Sequence, residues 1–266
     1  MCRAGVLRHR NTCELKIEGV KTVISGGASG LGRHFALKLL AVGATVAVCD
    51  VSLNGLAELK KAASPLKGRL FLSEVDISSE SAVVEFVCHA AKYCDGLNTV
   101  INNAGILRDG VLVEKQPGWI KKMPAAQWQT VLDVNLTGAY LLTREVVAHM
   151  LEHQRKGVIV NISSISGAGN IGQSNYSASK AGLDACTRTW ALELACHGIR
   201  VAGIAPGLIE TPMLENISSD TLAALKKEIP LGRIGIPHDI WVALKFVLEC
   251  DYFTGRVLCV DGGYQF

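Results

Sequence analysis

The feature that most constrains the fold of this chain is the alternation of short apolar runs with longer segments of helical periodicity from Val20 onward. Runs such as Ala44–Cys49 are continuously apolar, which is typical of a strand covered on both faces. We therefore predict an α/β, doubly wound fold, in which a seven-stranded parallel sheet lies between helix layers. The predicted strands are Thr22–Ser25, Ala44–Cys49, Arg69–Ser73, Thr99–Ile101, Val158–Ile162, Arg200–Ile204 and Val257–Val260.

The domain organisation follows from length and composition. A chain of 266 residues with 49% hydrophobic and 19% charged residues is globular, and no linker divides it. We predict one dinucleotide-binding and catalytic domain over residues 19–266, preceded by an N-terminal extension, residues 1–18. Arg3, Arg8 and Arg10 of this extension are compatible with a transit peptide, but a frayed tail is the favoured interpretation.

One segment, residues 106–124, departs from the alternation. In it Gln116-Pro117-Gly118 is a turn signal between two strand-like arms, Val111–Glu114 and Trp119–Lys121. We predict a hairpin-like excursion here. It is either a surface decoration or a wall over a substrate cleft, since it leaves from the carboxyl end of a strand, where doubly wound folds bind ligands.

Charge and cysteine content limit the partners. A net charge of +3 without a basic stripe argues against nucleic-acid and membrane-surface binding, so a small-molecule partner is expected. The nine cysteines are scattered without CxxC spacing, which argues against a disulfide framework and a metal site. The sequence has no stretch of 18 apolar residues, which argues against a membrane span. Together with the scattered cysteines, this predicts reduced thiols and a cytoplasmic protein.

A glycine-rich turn, Ser25-Gly26-Gly27-Ala28-Ser29-Gly30-Leu31-Gly32, follows the first predicted strand and opens a helix. Gly26 permits a tight turn, and Gly30 and Gly32 let the backbone approach a pyrophosphate bound by the helix N-terminus. In this context the turn predicts a dinucleotide site of Rossmann type. A glycine-rich loop without a ligand is the alternative.

Asp50 ends the second predicted strand, about 20 residues after that turn, where an acid hydrogen-bonds the adenosine ribose 2′-hydroxyl. A carboxylate there repels a 2′-phosphate, and neither Arg nor Lys stands at Ala28, Ser29, Val51 or Ser52 to neutralise one. We therefore predict NAD rather than NADP. The alternative is that Asp50 only caps a turn or a helix.

Tyr176 and Lys180 are four residues apart in Tyr-Ser-Ala-Ser-Lys, which places them on one face of a predicted helix. A phenol has a pKa near 10 and is a poor acid or base at neutral pH. A neighbouring ammonium favours the phenolate and is expected to lower that pKa.

Six motifs occur together in one order, and the set resembles the short-chain dehydrogenase/reductase family from Val20 to the C-terminus. They are the glycine-rich turn, Asn102-Asn103-Ala104-Gly105, Asn135 in Asp-Val-Asn-Leu-Thr-Gly, Ser163-Ser164, Tyr176 with Lys180, and Pro206-Gly207-Leu208-Ile209-Glu210-Thr211.

The resemblance implies roles for four residues. Tyr176 exchanges a proton with the substrate oxygen, and Lys180 lowers the pKa of Tyr176 and binds the nicotinamide ribose. Asn135 continues the proton path through a water, and a serine polarises the carbonyl. Counting thirteen residues back from Tyr176 gives Ser163, whereas the register of Asn-Ile-Ser-Ser gives Ser164, which we prefer.

The resemblance also implies the cofactor contacts. Asn103, Ala104 and Gly105 line the adenine and ribose, the pair Asp76-Ile77 holds the adenine, and the stretch after Pro206 lies beside the carboxamide. The expected contacts are Gly26, Ser29, Gly30, Leu31, Gly32, Asp50, Asp76, Ile77, Asn103, Ala104, Gly105, Tyr176, Lys180, Pro206, Gly207, Ile209 and Thr211.

The substrate is less constrained. Thr137-Gly138 and the ending Phe253–Gly263 resemble the 3-oxoacyl thioester reductase branch, whereas an NAD preference favours alcohol oxidation. A 3-hydroxyacyl or 3-oxoacyl thioester is the preferred substrate, with hydroxysteroids, polyols and other secondary alcohols as alternatives. A non-catalytic dinucleotide-binding sensor is the alternative from another class.

Two further expectations concern the pocket and the assembly. The substrate pocket is expected between Ser166–Gln173, the excursion and Met213–Ile229. The resemblance implies a homotetramer that pairs through Trp241–Val260.

Overall fold

The computed structural model describes residues 15–214 and 218–264. Positions 1–14 of the predicted extension lie outside the described residues. A short 3-10 helix, Ile17–Gly19, spans the end of the extension and leads into the first strand. Within the described ranges, no helix combines the length and apolar character needed to cross a bilayer.

The predicted seven-stranded parallel sheet is confirmed. Its spatial order is β3-β2-β1-β4-β7-β8-β9, so the chain reverses direction of winding between β1 and β4. The strands are β1 (Lys21–Ser25), β2 (Thr45–Asp50), β3 (Arg69–Glu74), β4 (Thr99–Asn102), β7 (Gly157–Ile162), β8 (Ile199–Pro206) and β9 (Val257–Val260). The largest difference from prediction is β8, which continues to Pro206.

Helices cover both faces of the sheet. They are α1 (Gly30–Ala41), α2 (Leu53–Ala63), α3 (Glu80–Tyr93), α4 (Ala125–Leu132), α5 (Gly138–Glu152), α6 (Ser174–Leu194), α7 (Ser219–Glu228) and α8 (Pro237–Glu249). Each helix layer packs on its face of the sheet in a hydrophobic core of its own, and alternate residues of one strand belong to the two cores. In β1, Ile24 packs with α1 and α8, and Val23 packs with α3 and α5.

A two-stranded hairpin lies within the excursion, and its arms are β5 (Val113–Gln116) and β6 (Trp119–Lys122). The first arm begins two residues later than predicted and includes Gln116, which pairs with Trp119. The turn therefore has two residues. Pro117 is compatible with its first position, and Gly118 supplies the positive φ of 83° that the second requires.

Helices α4 and α5 are joined by a π-helical turn, Asp133–Thr137, which the sequence pattern does not predict. Its wider winding is marked by the bond from the Gly138 N–H to the Asp133 carbonyl. This turn carries Asn135, which is 1% exposed and lies below the carboxyl ends of the central strands.

Candidate active site

A cleft of about 870 Å³ opens at the carboxyl ends of the strands, beside the point where the sheet order reverses. Nearly all of the predicted site residues line it. Gly32 and Asn135 do not. The lining members of the predicted set are Gly26, Ser29, Gly30, Leu31, Asp50, Asp76, Ile77, Asn103, Ala104, Gly105, Ser164, Tyr176, Lys180, Pro206, Gly207, Ile209 and Thr211.

The glycine-rich turn is tight where it meets the chain after β4. Gly26 has a φ of 64°, and a Cβ on it would lie 2.7 Å from the Ala104 Cα. The Asn103 amide locks the turn by donating to the carbonyl oxygens of Ser25 (3.1 Å) and Gly26 (2.8 Å). The close approach of Ala104 excludes a side chain at position 26, so the turn is fixed by packing as well as by conformation.

Gly30 and Gly32 have different functions. Gly30 begins α1 with a φ of 51°, and a Cβ on it would project toward Thr211, 3.8 Å away across the cleft. A Cβ on Gly32 would instead lie 2.3 Å from the Gly26 carbonyl oxygen, inside the turn. Gly30 therefore keeps the helix N-terminus open to a ligand, whereas Gly32 permits close packing of the turn.

Asp50 holds two segments at the edge of the cleft. One carboxylate oxygen accepts from the Ala28 N–H at 2.9 Å, and the other accepts from the Ser52 N–H at 3.0 Å. The carboxylate therefore braces the glycine-rich turn, as the capping interpretation expects. It also lines the cleft, as a ribose-binding role requires.

The remaining predicted cofactor contacts surround the cleft. Asp76 is exposed at the rim and accepts from the Ser78 N–H at 2.9 Å, while Ile77 beside it is buried. On the opposite side, a Cβ on Gly207 would lie 2.6 Å from the Asp261 Cα, so this glycine permits the close approach of β8 to the segment after β9.

Tyr176 and Ser164 are brought together at the base of the cleft. The Ser164 hydroxyl favours the ionised form of the Tyr176 phenol and lowers its pKa, but burial outweighs this effect and raises the pKa above the ordinary value. The negative charge of Asp109 raises it further. Tyr176 is therefore a protonated phenol at neutral pH and is able to donate to an oxygen.

Ser163 faces away from the phenol. Its hydroxyl lies 3.4 Å from the Lys180 carbonyl oxygen and hydrogen-bonds with Asp184. The chain is extended at Ser164, with φ −164° and ψ 151°, so the two adjacent hydroxyls point in opposite directions.

Lys180 is 3% exposed, and its Nζ donates to the Ile162 carbonyl oxygen at 2.8 Å. Burial lowers the pKa of the ammonium to about 8. The Nζ lies 5.6 Å from the centre of the Tyr176 ring. The sequence-based expectation that Lys180 brings the pKa of Tyr176 below 10 is therefore not met in this structure, because burial is the dominant influence on the phenol.

Both polar groups of the Asn135 side-chain amide are hydrogen-bonded to the backbone of Ile106. Its Oδ1 accepts from the Ile106 N–H at 2.8 Å, and its Nδ2 donates to the Ile106 carbonyl oxygen at 3.1 Å. The amide therefore fixes the segment that follows Gly105. A water-mediated proton path through Asn135 stays a prediction.

One wall of the cleft contains groups that the sequence motifs did not identify. We call residues 106–110 the strap and residues 169–173 the glycine loop. The Asn175 amide donates to the Arg108 carbonyl oxygen at 2.9 Å, and the Gly110 N–H donates to the Gly172 carbonyl oxygen at 2.7 Å. Contacts between two loops that are far apart in the chain leave no spacing pattern in the sequence, so only the structure shows that the strap and the glycine loop meet.

The expected substrate pocket is present in part. The cleft is lined by Ser166, Asn170 and Gln173 on one side and by Met213, Leu214 and Leu225 on the other. Among the described residues of the excursion, only strap residues line the cleft, and none comes from the hairpin of β5 and β6.

Comparisons with known proteins are consistent with this geometry. The short chain dehydrogenase family matches residues 21–222. The chain is 39% identical to the 3-oxoacyl-[acyl-carrier-protein] reductase of Thermotoga maritima, covering 94% of this chain and 99% of that protein. It is 34% identical to the (3R)-3-hydroxyacyl-CoA dehydrogenase of Canis lupus familiaris, covering 94% and 97%. A short-chain dehydrogenase/reductase structure from Mycobacterium marinum superposes with a TM-score of 0.85 at 28% identity, covering 94% and 97%.

Proposed function

Because the chain belongs to the short-chain dehydrogenase family and is an oxidoreductase, we propose that it interconverts a 3-hydroxyacyl and a 3-oxoacyl thioester with NAD(H). The observation that carries this proposal is that Ser164, Tyr176 and buried Lys180 line one cleft with the glycine-rich turn, with the Lys180 Nζ 5.6 Å from the centre of the Tyr176 ring.

The cleft fits a dinucleotide. Gly30 leaves the N-terminus of α1 open where a side chain would narrow the gap to Thr211, and free N–H groups at a helix N-terminus bind phosphate. Asp50 lines the same cleft and would accept a hydrogen bond from the ribose 2′-hydroxyl. NAD(H), when bound, supplies or accepts the hydride.

The protein side chains handle the proton. In the direction of reduction, the Tyr176 phenol donates to the substrate oxygen, and the Ser164 hydroxyl donates a second hydrogen bond that polarises the carbonyl. The Lys180 ammonium stabilises the charge that develops on the phenol oxygen as the proton leaves. Asn135 and Asn175 hold the strap in place beside them.

The choice of substrate rests on the named relatives and on the lining of the cleft. The two relatives above are named for acyl thioesters. Leu214, Leu225 and Met213 add apolar side chains to the cleft lining, which suits an acyl chain.

The test is a substrate panel in both directions, followed at the nicotinamide absorbance. The 3-oxoacyl thioesters, ketosteroids and small ketones are assayed with NADH and NADPH, and the hydroxysteroids and polyols with NAD⁺ and NADP⁺. We expect turnover of a 3-oxoacyl thioester, and a loss of about 10²-fold or more in Tyr176→Phe with retained NADH binding. Turnover of steroids or polyols alone would reject the thioester assignment, and unchanged turnover in Tyr176→Phe would reject the role of the phenol.

A further inference from the structure

The strap and the glycine loop are joined by a side-chain bridge at the substrate end of the cleft. The Gln173 Nε2 donates to the Asp109 Oδ2 at 3.0 Å, and the Gln173 Oε1 accepts from the Asn170 Nδ2 at 3.0 Å. All three side chains belong to residues that line the cleft with Tyr176. A carboxylate is therefore held at a fixed place on the wall that borders the phenol.

The charges around the cleft are unbalanced. Three carboxylates, Asp50, Asp76 and Asp109, belong to lining residues, whereas Lys180 is the only cationic side chain among the described residues of the lining. The Lys180 ammonium is buried and donates to the Ile162 carbonyl oxygen. The Arg108 guanidinium, next to Asp109 in sequence, is exposed and donates to the Leu107 carbonyl oxygen instead of lining the cleft.

This arrangement has a consequence for substrates with a free carboxylate. In a 3-oxo acid the carboxylate is one methylene from the carbonyl carbon that reacts, so it must enter the cleft with that carbon. There the carboxylate would share a cleft with Asp109, and Lys180, the one cation among the described lining residues, is buried and bonded to the Ile162 carbonyl oxygen. In the corresponding ester or thioester the same position is neutral, and Asp109 imposes no Coulombic cost.

We propose that Asp109 is a specificity-determining residue, which excludes free 3-oxo and 3-hydroxy acids and thereby selects their esters and thioesters. This inference rests on the proposed function. The negative charge of Asp109 is felt at Tyr176, where it contributes to the raised pKa of the phenol. The phosphates of a coenzyme A thioester would lie many bonds from the reacting carbon and are compatible with the exclusion.

The experiment compares 3-oxobutanoate with its ethyl ester, two probes with the same carbon skeleton and different charge. For wild type we expect kcat/KM with NADH to favour the ester by at least about tenfold. Asp109→Asn keeps the size of the side chain and an oxygen that accepts from Gln173. It should shift the ester-to-acid ratio toward the acid by about tenfold.

Gln173→Ala is the matched control, because it breaks the bridge and leaves the Asp109 charge in place. Its ester-to-acid ratio should stay within about threefold of wild type. Equal use of both probes by wild type, an unchanged ratio in Asp109→Asn, or an equal shift in Gln173→Ala would each overturn the proposal.

A failure of the proposed function gives a different result. If neither probe is reduced, the thioester panel decides the proposed function, and the role of Asp109 is decided separately by binding. The dissociation constants of the two probes are then measured on the NADH-saturated protein by fluorescence. A tighter ester in wild type and a smaller difference in Asp109→Asn support the exclusion, whereas equal binding in wild type overturns it.

Discussion

The Ser164 hydroxyl, and not that of Ser163, interacts with the Tyr176 phenol. The two serines are adjacent, but the extended backbone directs Ser163 toward the Lys180 carbonyl oxygen and Asp184. These orientations agree with the register of the Asn-Ile-Ser-Ser motif, and the catalytic role of Ser164 stays a prediction.

The first prediction compares variants of the two adjacent serines, and Ser163 is the control for Ser164. Ser164→Ala removes a donor beside the reacting oxygen and should lower kcat by about 10²-fold. Ser163→Ala removes a hydroxyl that faces the other way and should lower kcat by at most about threefold. The measurement is steady-state kinetics of both variants with the thioester identified in the substrate panel. A larger loss in Ser163→Ala would assign the role to Ser163.

The second prediction concerns pH. Reduction requires a protonated Tyr176 phenol and a charged Lys180 ammonium. Burial lowers the pKa of the Lys180 ammonium to about 8. Since Lys180 is charged below that pKa and neutral above it, kcat/KM for reduction should fall as the pH rises through about 8.

Lys180→Met is the variant that tests this assignment. It should reduce kcat/KM and remove the decline near pH 8, leaving the decline at higher pH that belongs to Tyr176, whose pKa is raised. The pH profile of kcat/KM is the measurement, and thermal unfolding shows whether the variant is folded. A decline near pH 8 that persists in Lys180→Met would assign it to another group.

The sequence was sufficient to predict the sheet and most of the cleft lining, because both depend on local patterns. Continuous apolar runs identify buried parallel strands, and Gly26 and Gly30 stand where a turn and a helix N-terminus need them. Tyr176 and Lys180 share a helix face by their spacing alone. Each of these features is decided within a few residues of the chain.

The parts that the sequence did not predict depend on contacts between distant segments. The Asp109–Gln173 bridge joins residues 64 apart, and the Asn135 amide meets Ile106 across 29 residues. The direction of the Tyr176 pKa shift was predicted with the opposite sign, since it depends on burial in the folded chain rather than on the neighbouring lysine. Such relationships require the tertiary structure.

The third prediction concerns cofactor choice. Asp50 should disfavour a 2′-phosphate, so kcat/KM should be about 10²-fold higher with NADH than with NADPH. Asp50→Ala combined with Val51→Arg should narrow the gap, because it removes the repulsion and adds a phosphate donor. Asp50→Asn is the control for charge alone, since its amide oxygen is able to accept from the Ala28 N–H. Equal efficiency of both cofactors in wild type would contradict the assignment.

The fourth prediction is a homotetramer. Val242, Phe246 and Tyr252 are exposed on and after α8, next to the edge strand β9, and a contact between copies would cover them. Light scattering at micromolar concentration should give a tetrameric mass. Phe246→Glu should reduce that mass. Lys245→Glu at the neighbouring exposed position, which makes a larger charge change and loses the pair with Glu249, is the control for charge without loss of the aromatic ring and should leave the mass unchanged. A monomeric wild type would refute the assembly.

The fifth prediction concerns the hairpin. Trp119 is 57% exposed and Ile120 is 51% exposed, yet no described residue of β5 or β6 lines the cleft. The hairpin therefore does not border a substrate inside the cleft, and we expect it to contact a substrate that extends out of the cleft. Replacing Lys115–Lys122 by a short Gly-Ser link should raise KM for a 3-oxoacyl coenzyme A thioester. It should leave KM for a small 3-oxo ester and the affinity for NADH within about threefold, because neither ligand reaches the hairpin.

Trp119→Ala with an otherwise intact hairpin separates the contribution of the indole from that of the lysines, which would attract the coenzyme phosphates. If NADH binding collapses or the oligomer dissociates in the link variant, the hairpin is structural. If KM for the small ester rises as much as KM for the thioester, the hairpin acts through the strap, and its proposed contact with the extended substrate is wrong.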